Sequence, residues 1–187
     1  MQNDCATSCE KVAQLALRDE KELEGIDSFF QLRAKDITGT VIDFEQFQGQ
    51  VTIVVNVASY CGYTDSHYKG LVQLWSQVQR LGKVHILAFP CNQFGAQEPE
   101  DNPSIVNFVT SHYGVEFTMM DKVNVNGPNA SVVYKFLKKA AGGPTTITWN
   151  FATYFVVAPD GTVTSHSGVE PMDLKDYALG LLETDEL

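Results

Sequence analysis

A single cysteine, Cys61, has the surroundings in which a thiol can act as a nucleophile. The preceding residues 51–57 form an apolar, β-branched run typical of a buried strand, and residues 63–81 carry apolar side chains at a helical period. The sequence therefore predicts that Cys61 lies in the turn from strand to helix, where a helix N-terminus favours a thiolate over a thiol. Open α/β sheets also place their chemistry at such turns. The alternative is a buried cysteine that packs as a small hydrophobic residue.

Three segments of unusual composition occur in order along the chain. They are Asn-Val-Ala-Ser-Tyr-Cys-Gly-Tyr-Thr at 56–64, Leu-Ala-Phe-Pro-Cys-Asn-Gln-Phe-Gly-Ala-Gln-Glu-Pro at 87–99, and Thr-Trp-Asn-Phe at 148–151. Together they closely resemble the cysteine-containing branch of the glutathione peroxidase family. The resemblance runs from Phe29 to the C-terminal helix.

The resemblance implies a thiol peroxidase that reduces hydrogen peroxide or organic hydroperoxides. Cys61 matches the peroxidatic residue of the family, and Gln97, Trp149 and Asn150 match the residues around it. A peroxidatic thiolate becomes a sulfenic acid, and side-chain amides and an indole N–H are neutral donors that can point at a sulfur anion. Taken singly, each partner has an ordinary alternative as a solvated loop residue, a core aromatic or a turn residue, respectively.

The sulfenic acid must then be reduced back to a thiol, and the usual resolving cysteine is missing. Many cysteine members of the family carry it in the helix predicted at 104–113, where this chain has Thr110. Thr64 stands where a Cys-x-x-Cys motif would have its second cysteine. Cys91 is the remaining cysteine within the resemblance, and it is either a resolving partner of Cys61 or a structural residue of its loop.

The reductant predicted from the resemblance is a protein dithiol, thioredoxin-like or a protein disulfide isomerase, ahead of glutathione. Glutathione is anionic, whereas the chain has a net charge of −10 and its nearest basic residue to Cys61 in sequence is Lys69. The connection at 140–148 is short, as in the monomeric members, so we expect a monomer. A second hypothesis is a sensor or relay protein, in which Cys61 passes oxidation to a partner without efficient turnover.

The elements that position these residues predict an α/β protein. A strand at 51–57, a helix at 63–81 and a strand at 84–89 form a βαβ unit. Further elements are predicted as a hairpin at 29–44, a helix at 104–113, a strand at 117–123, a helix at 129–141, a hairpin at 151–167 and a helix at 173–182. We expect a thioredoxin-like fold over residues 26–187, with a central mixed sheet flanked by helices. Residues 1–25 are expected to be an added extension, helical or partly disordered.

The composition excludes several function classes. A net charge of −10 disfavours nucleic acid and anionic membranes, and no apolar run approaches the roughly 18 residues of a membrane helix. Four cysteines in 187 residues are too few for a disulfide scaffold. The four histidines are scattered and are expected to be surface or half-buried residues, so no metal and no cofactor are predicted.

The two ends of the chain carry one hypothesis each. The C-terminal Thr184-Asp185-Glu186-Leu187 is close to the Lys-Asp-Glu-Leu retrieval signal, which predicts the lumen of the endoplasmic reticulum. No signal peptide is visible at Met1, so a frayed acidic tail on a cytoplasmic protein is the alternative. Near the N-terminus, Cys5 and Cys9 would share one face of a helix, and their role stays open.

Overall fold

A five-stranded mixed sheet organises the protein, whose computed structural model describes residues 21–183. A separate two-stranded hairpin precedes it. The strands are β1 Arg33–Lys35, β2 Val41–Asp43, β3 Val51–Val57, β4 Val84–Pro90, β5 Thr118–Met119, β6 Thr153–Val157 and β7 Val163–Ser167. The helices are α1 Thr64–Val78, α2 Asn102–Tyr113, α3 Val132–Ala140 and α4 Leu174–Glu183. The predicted α/β class, a mixed sheet flanked by helices, is confirmed.

The strand order is β5-β4-β3-β6-β7, which places β3 in the centre. β3 pairs in parallel with β4 and antiparallel with β6. Because β6 runs the opposite way, its amino end lies at the same sheet edge as the carboxyl ends of β3 and β4. The three segments singled out in the sequence leave or enter the sheet at this one edge.

Two apolar cores lie on the two faces of the sheet, because alternate residues of a strand point to opposite faces. In β3, Ile53 and Val55 point into the first core, and Val54 points into the second. The first core also holds apolar side chains of α1, α2 and α4. The second holds those of α3 and of the segment around β1 and β2. Both faces are thus covered, as the parallel part of this mixed sheet requires.

Some predicted element boundaries were wrong, and local hydrogen bonds explain why. The first strand of the hairpin predicted at 29–44 begins as a 3-10 turn, Phe29–Gln31, because the Ser28 hydroxyl accepts from the Phe30 N–H and the Gln31 side chain accepts from the Ser28 N–H. The predicted strand at 117–123 shortens to β5, because it pairs with β4 over only two residues. α3 begins later than predicted because the Ser131 hydroxyl caps it at the Val133 N–H.

The predicted boundary at residue 25 stays a prediction. Leu23 is buried in the second core, and the Glu22 carboxylate lies 2.7 Å from the Lys135 ammonium of α3. Cys5, Cys9 and the C-terminal 184–187 lie outside the described residues. Within residues 21–183, no helix is both long enough and apolar enough to span a bilayer.

Candidate active site

Cys61 lies in the short loop between β3 and α1, as predicted, and is 8% exposed. The Thr64 hydroxyl fixes this loop from inside. It accepts a hydrogen bond from the Cys61 N–H at 2.9 Å and donates one to the Ala58 carbonyl at 2.7 Å. Thr64 thus occupies the place of a second active-site cysteine with a group that orders the Cys61 backbone.

The sulfur of Cys61 accepts a hydrogen bond from the backbone N–H of Tyr63, with 3.5 Å between N and Sγ. Tyr63 is the N-cap residue of α1, so this donor belongs to the positive end of the helix. Helix N-termini are one of the settings in which reactive cysteines occur in proteins. Sequence reasoning missed Tyr63 as a donor, although its position at the predicted helix start indicated it.

Gln97 and Asn150 come together, although they are 53 residues apart. The Asn150 amide donates to Gln97 Oε1 at 3.2 Å, and the Gln97 carbonyl accepts from the Tyr60 N–H at 3.0 Å. The second bond joins the Gln97 loop to the Cys61 loop. Because Gln97 Oε1 is an acceptor, its NH2 group is the end that can donate. Within residues 21–183, neither Gln97, Trp149 nor Asn150 donates a hydrogen bond to Cys61 Sγ itself.

Asn56 of β3 holds the turn that carries Trp149 and Asn150. Its fully buried side-chain amide donates to the Trp149 carbonyl and to Asn150 Oδ1, each at 3.3 Å. Its carbonyl accepts from the Phe151 N–H at 2.9 Å. Sequence reasoning missed this residue. The indication was a polar side chain within an otherwise apolar strand, because a buried amide needs partners.

Strained backbone flanks both amide side chains. Ala96, next to Gln97, has φ 51°, and Phe151, next to Asn150, has φ 61°. Residues other than glycine seldom adopt these left-handed values, which cost of order 1–3 kcal/mol. The surrounding contacts therefore hold Gln97 and Asn150 in place against a local preference.

Exposed aromatic side chains lie in the Cys61 loop and beside it. Trp149 is 39% exposed and contacts the Phe94 ring, with 5.8 Å between the ring centroids. It is not the buried core aromatic of the alternative interpretation. Tyr60 and Tyr63 are also exposed. A groove of about 530 Å³ is lined by Tyr63 and Trp149 at one place and by Glu170 at another. Cys61 is not among its lining residues, and Tyr63 connects the groove to the Cys61 loop.

His67, which was expected at the surface or half buried, is buried instead. Its Nδ1 lies 2.7 Å from the Tyr154 hydroxyl, and burial lowers the pKa of the imidazole. It forms part of the wall of the groove. No group of three histidine, cysteine, aspartate or glutamate side chains in residues 21–183 could hold a metal ion.

Cys91 lies on the other side of the sheet from Cys61. It is fully buried in the second core, whereas Cys61 belongs to the first. Burial raises the pKa of the Cys91 thiol, and its Sγ lies 3.8 Å from Gln93 Oε1. A direct disulfide between the two would require one of them to leave its core. The resolving role of Cys91 therefore stays a prediction that this arrangement disfavours.

Thr110 is exposed on α2, and its hydroxyl donates to the Val106 carbonyl at 2.7 Å. This site therefore offers no thiol to Cys61. The arrangement as a whole combines a thiol at a helix N-terminus with fixed neutral donors and an adjacent groove. Such a centre can carry a two-electron oxidation of sulfur and pass the oxidation to an external thiol.

Comparison with known proteins gives one consistent result. A family model described as glutathione peroxidase matches residues 29–138. A "Probable phospholipid hydroperoxide glutathione peroxidase" of Citrus sinensis is 42% identical over 161 residues, covering 84% of this chain and 95% of that protein. "Glutathione peroxidase 7" of Homo sapiens is 45% identical over 137 residues, covering 72% and 70%. The apo crystal structure of Trgpx superposes with a TM-score of 0.69 at 32% identity, covering 85% and 97%. The resemblance and the thioredoxin-like fold predicted from the sequence are confirmed.

Proposed function

Since this chain belongs to the glutathione peroxidase family and is a thiol peroxidase, we propose that Cys61 is its peroxidatic residue. The observation that carries the proposal is the position of Cys61 at the head of α1. There the Tyr63 N–H bonds to its sulfur, and the hydrogen-bonded Gln97 and Asn150 adjoin its loop.

In the proposed step, the Cys61 thiolate attacks one peroxide oxygen and the O–O bond breaks. The attacked oxygen stays on sulfur as a sulfenic acid, and the other leaves as water or an alcohol. The thiolate loses two electrons, the peroxide gains them, and one proton from solvent completes the balance. We assign to Gln97, Trp149 and Asn150 the stabilisation of the charge that develops on sulfur and on the leaving oxygen.

The groove beside Trp149 supports organic hydroperoxides as substrates in addition to hydrogen peroxide. Its volume of about 530 Å³ is within the range of small-molecule sites. The Citrus sinensis relative is named for phospholipid hydroperoxides. The wall consists mainly of aromatic and small side chains, with Glu170 as its charged residue, so an uncharged organic group fits it better than an anion.

The reductant we propose is a protein dithiol, thioredoxin-like or a protein disulfide isomerase. Its first thiol forms a mixed disulfide with Cys61 and releases water, and its second thiol then frees Cys61. Lys69, the nearest basic residue in sequence, is paired with Asp65 at 2.8 Å, which disfavours anionic glutathione. The burial of Cys91 on the opposite face supports an external resolving thiol.

We assign the protein to the endoplasmic reticulum lumen, with the cytoplasm as the alternative, and propose that it acts as a monomer. The location rests on the tail at 184–187. Arabidopsis thaliana relatives are named chloroplastic and mitochondrial, so the family occupies several compartments.

A peroxide sensor or relay is the second candidate, and one observation favours it. Thr64 and Thr110 stand at the two positions where a nearby resolving cysteine would be expected. Because such a centre needs a partner thiol for its reduction, each oxidation of Cys61 can be passed to one partner molecule without steady turnover.

Peroxide consumption with three reductants tests the proposal and separates the two candidates. We expect steady turnover with thioredoxin or a disulfide isomerase, and slow turnover with glutathione. After one equivalent of peroxide, mass mapping should find Cys61 as a sulfenic acid or bound to the reductant. A single turnover without steady consumption would favour the relay. A Cys61–Cys91 disulfide, or a bond to Cys5 or Cys9, would replace the external route with an internal one.

A further inference from the structure

A buried glutamate, Glu98, lies directly after Gln97 in the active-site loop. It is 0% exposed, and neither carboxyl oxygen has a hydrogen-bond partner within residues 21–183. A buried carboxyl without partners is costly, and such a group in a folded protein calls for a functional explanation. Nothing in the peroxidatic chemistry described above uses it.

The groups placed to donate hydrogen bonds to this carboxyl belong to the Cys61 loop, and Lys122 and Glu100 act on it through their charges. The Ser59 hydroxyl and backbone N–H both favour its ionised form, yet neither reaches hydrogen-bond geometry, and the Ser59 hydroxyl is itself buried without a partner. The adjacent residues do form the bond, from the Tyr60 N–H to the Gln97 carbonyl at 3.0 Å. A hydrogen bond between Ser59 and Glu98 would therefore be a second connection between the Cys61 loop and the Gln97 loop. The bond between Tyr60 and Gln97 is the first.

Glu98 is the group in this region that changes charge near neutral pH. Burial raises its pKa to about 7. Tyr68 of α1 and Cys91 after β4 have pKa values raised by their own burial, so both stay neutral there. The Lys122 ammonium donates hydrogen bonds to the backbone carbonyls of Glu98 and Glu100, and the Glu100 side chain is exposed.

We propose that Glu98 is a positioning residue for the reaction at Cys61. Its ionised carboxylate accepts hydrogen bonds from the Ser59 N–H and hydroxyl and holds the Cys61 loop against the Gln97 loop. The protonated acid releases this contact, and the proton comes from solvent. The inference rests on the proposed peroxidatic role of Cys61, because it concerns how well the thiol is placed against its donors.

The consequence is a pH dependence separate from the ionisation of the thiol. As pH rises through about 7, the carboxylate forms and the second link closes. The oxidation of Cys61 then becomes faster, because small displacements of a reacting group cost large factors in rate. Below that pH the loop is held by the Tyr60–Gln97 bond alone.

The test is the rate of Cys61 oxidation by hydrogen peroxide from about pH 5 to about pH 9. The protein carries Trp75→Phe, so that Trp149, beside the site, is the one tryptophan reporting in rapid-mixing fluorescence. The variants are Glu98→Gln, a neutral isostere, and Glu98→Asp, which keeps the charge. Glu100→Gln in the same loop is the matched control.

We expect Glu98→Gln to react within twofold of the parent at about pH 5.5 and about tenfold more slowly at about pH 8. Glu98→Asp should keep a second inflection with a displaced midpoint. Glu100→Gln should match the parent rates at both ends of the pH range, with a midpoint at slightly lower pH because the Glu100 charge raises the pKa of Glu98. Ser59→Ala should reproduce the loss at high pH. An equal loss at every pH, or no loss in Glu98→Gln, would overturn the inference.

Infrared difference spectra follow the same carboxyl without any peroxide. A protonated-acid band that disappears near pH 7 in the parent and is absent in Glu98→Gln supports the inference. If the Glu98 carboxyl of the parent is ionised at every pH measured, the inference is overturned. This measurement on the parent holds even if Glu98→Gln fails to fold. If hydrogen peroxide does not oxidise Cys61 in the parent while the acid band still titrates, the proposed peroxidatic role of Cys61 is wrong. The titration of Glu98 would still stand.

Discussion

Cys61 and Cys91 follow two neighbouring parallel strands and are both buried, yet they face different cores, and of the two Cys61 alone lies at a helix N-terminus. Cys61 enters the first core at the start of α1 and receives the Tyr63 N–H. Cys91 enters the second core, has no helix N-terminus, and has a pKa raised by burial.

The difference teaches that strand position alone does not make a thiol reactive. Both cysteines lie at the same edge of the sheet, since the Val57 carbonyl accepts from the Cys91 N–H at 3.0 Å. The face of the sheet and the element that follows decide the outcome. A helix begins three residues after Cys61, whereas a long loop follows Cys91.

The largest expected effect comes from removing each sulfur in turn. Cys61→Ser should reduce peroxide consumption to the uncatalysed level, because the nucleophile is lost. The matched variant Cys91→Ser should keep its rate within about twofold, since burial in the core on the opposite face of the sheet disfavours a role of this thiol in the reaction. The measurement is the rate of peroxide consumption by each variant with a thioredoxin system as reductant. Equal losses in both variants would show that the two cysteines work as a pair.

The next effect concerns the side chains proposed to donate hydrogen bonds during the reaction at Cys61. Trp149→Phe keeps the ring against Phe94 and removes the indole N–H, and Asn150→Ala removes the amide. Each should slow Cys61 oxidation by about 10²–10³-fold, the usual loss for one donor to a developing charge. Trp75→Phe removes the other indole of the chain and is the control. Unchanged rates in the first two variants would remove these donors from the mechanism.

A smaller effect links the two cysteine regions through Glu98, whose carboxylate also raises the pKa of the Cys91 thiol. The pKa of Glu98 rises from 4.5 to about 7 in the folded protein, so the folded state binds this proton more tightly and loses stability as pH rises through that window. Glu98→Gln lacks this loss. Its free energy of unfolding relative to the parent should therefore grow by up to about 3 kcal/mol between about pH 4 and about pH 8. Urea unfolding at several pH values measures it, and a constant difference would contradict it.

The smallest effect tests whether the strain belongs to the reactive region. Ala96→Gly relieves a left-handed alanine and should raise the free energy of unfolding by no more than about 1 kcal/mol, with a loss of less than about twofold in the rate of Cys61 oxidation. Ala140→Gly, at the end of α3, should destabilise the protein instead. Thermal unfolding of both variants compares them. A destabilised Ala96→Gly would mean that the conformation of Ala96 costs nothing.

The placement of Cys61 could be predicted because it rests on local patterns. An apolar run of β-branched residues precedes the thiol, and a helical period follows it. The structure has β3 and α1 at these two places. The meeting of Gln97 with Asn150 was foreseen only through the resemblance, because no local rule joins residues 53 apart.

Other features depend on tertiary contacts that no local pattern specifies. The side of the sheet to which Cys91 points is set by the register of β4 against β3, and the burial of Glu98 by the packing of its loop. Asn56 and Tyr63 were missed because the role of each rests on a single group. The Asn56 side-chain amide donates to Asn150 Oδ1, and the Tyr63 backbone N–H donates to Cys61 Sγ. The buried His67 was missed because its partner, Tyr154, lies on a strand 87 residues away.

The central position of β3 has a consequence for how the active site withstands fluctuations. Every residue of β3 is buried, and the strand is paired on both sides, whereas β5 and β7 are edge strands. Amide hydrogens of β3 should therefore exchange with deuterium only when the whole molecule opens, while the edges exchange through local fraying. Cys61 is attached to the part of the fold that opens last. The strand that precedes Cys61 should therefore keep its place until the whole molecule unfolds, even while the edge strands fray.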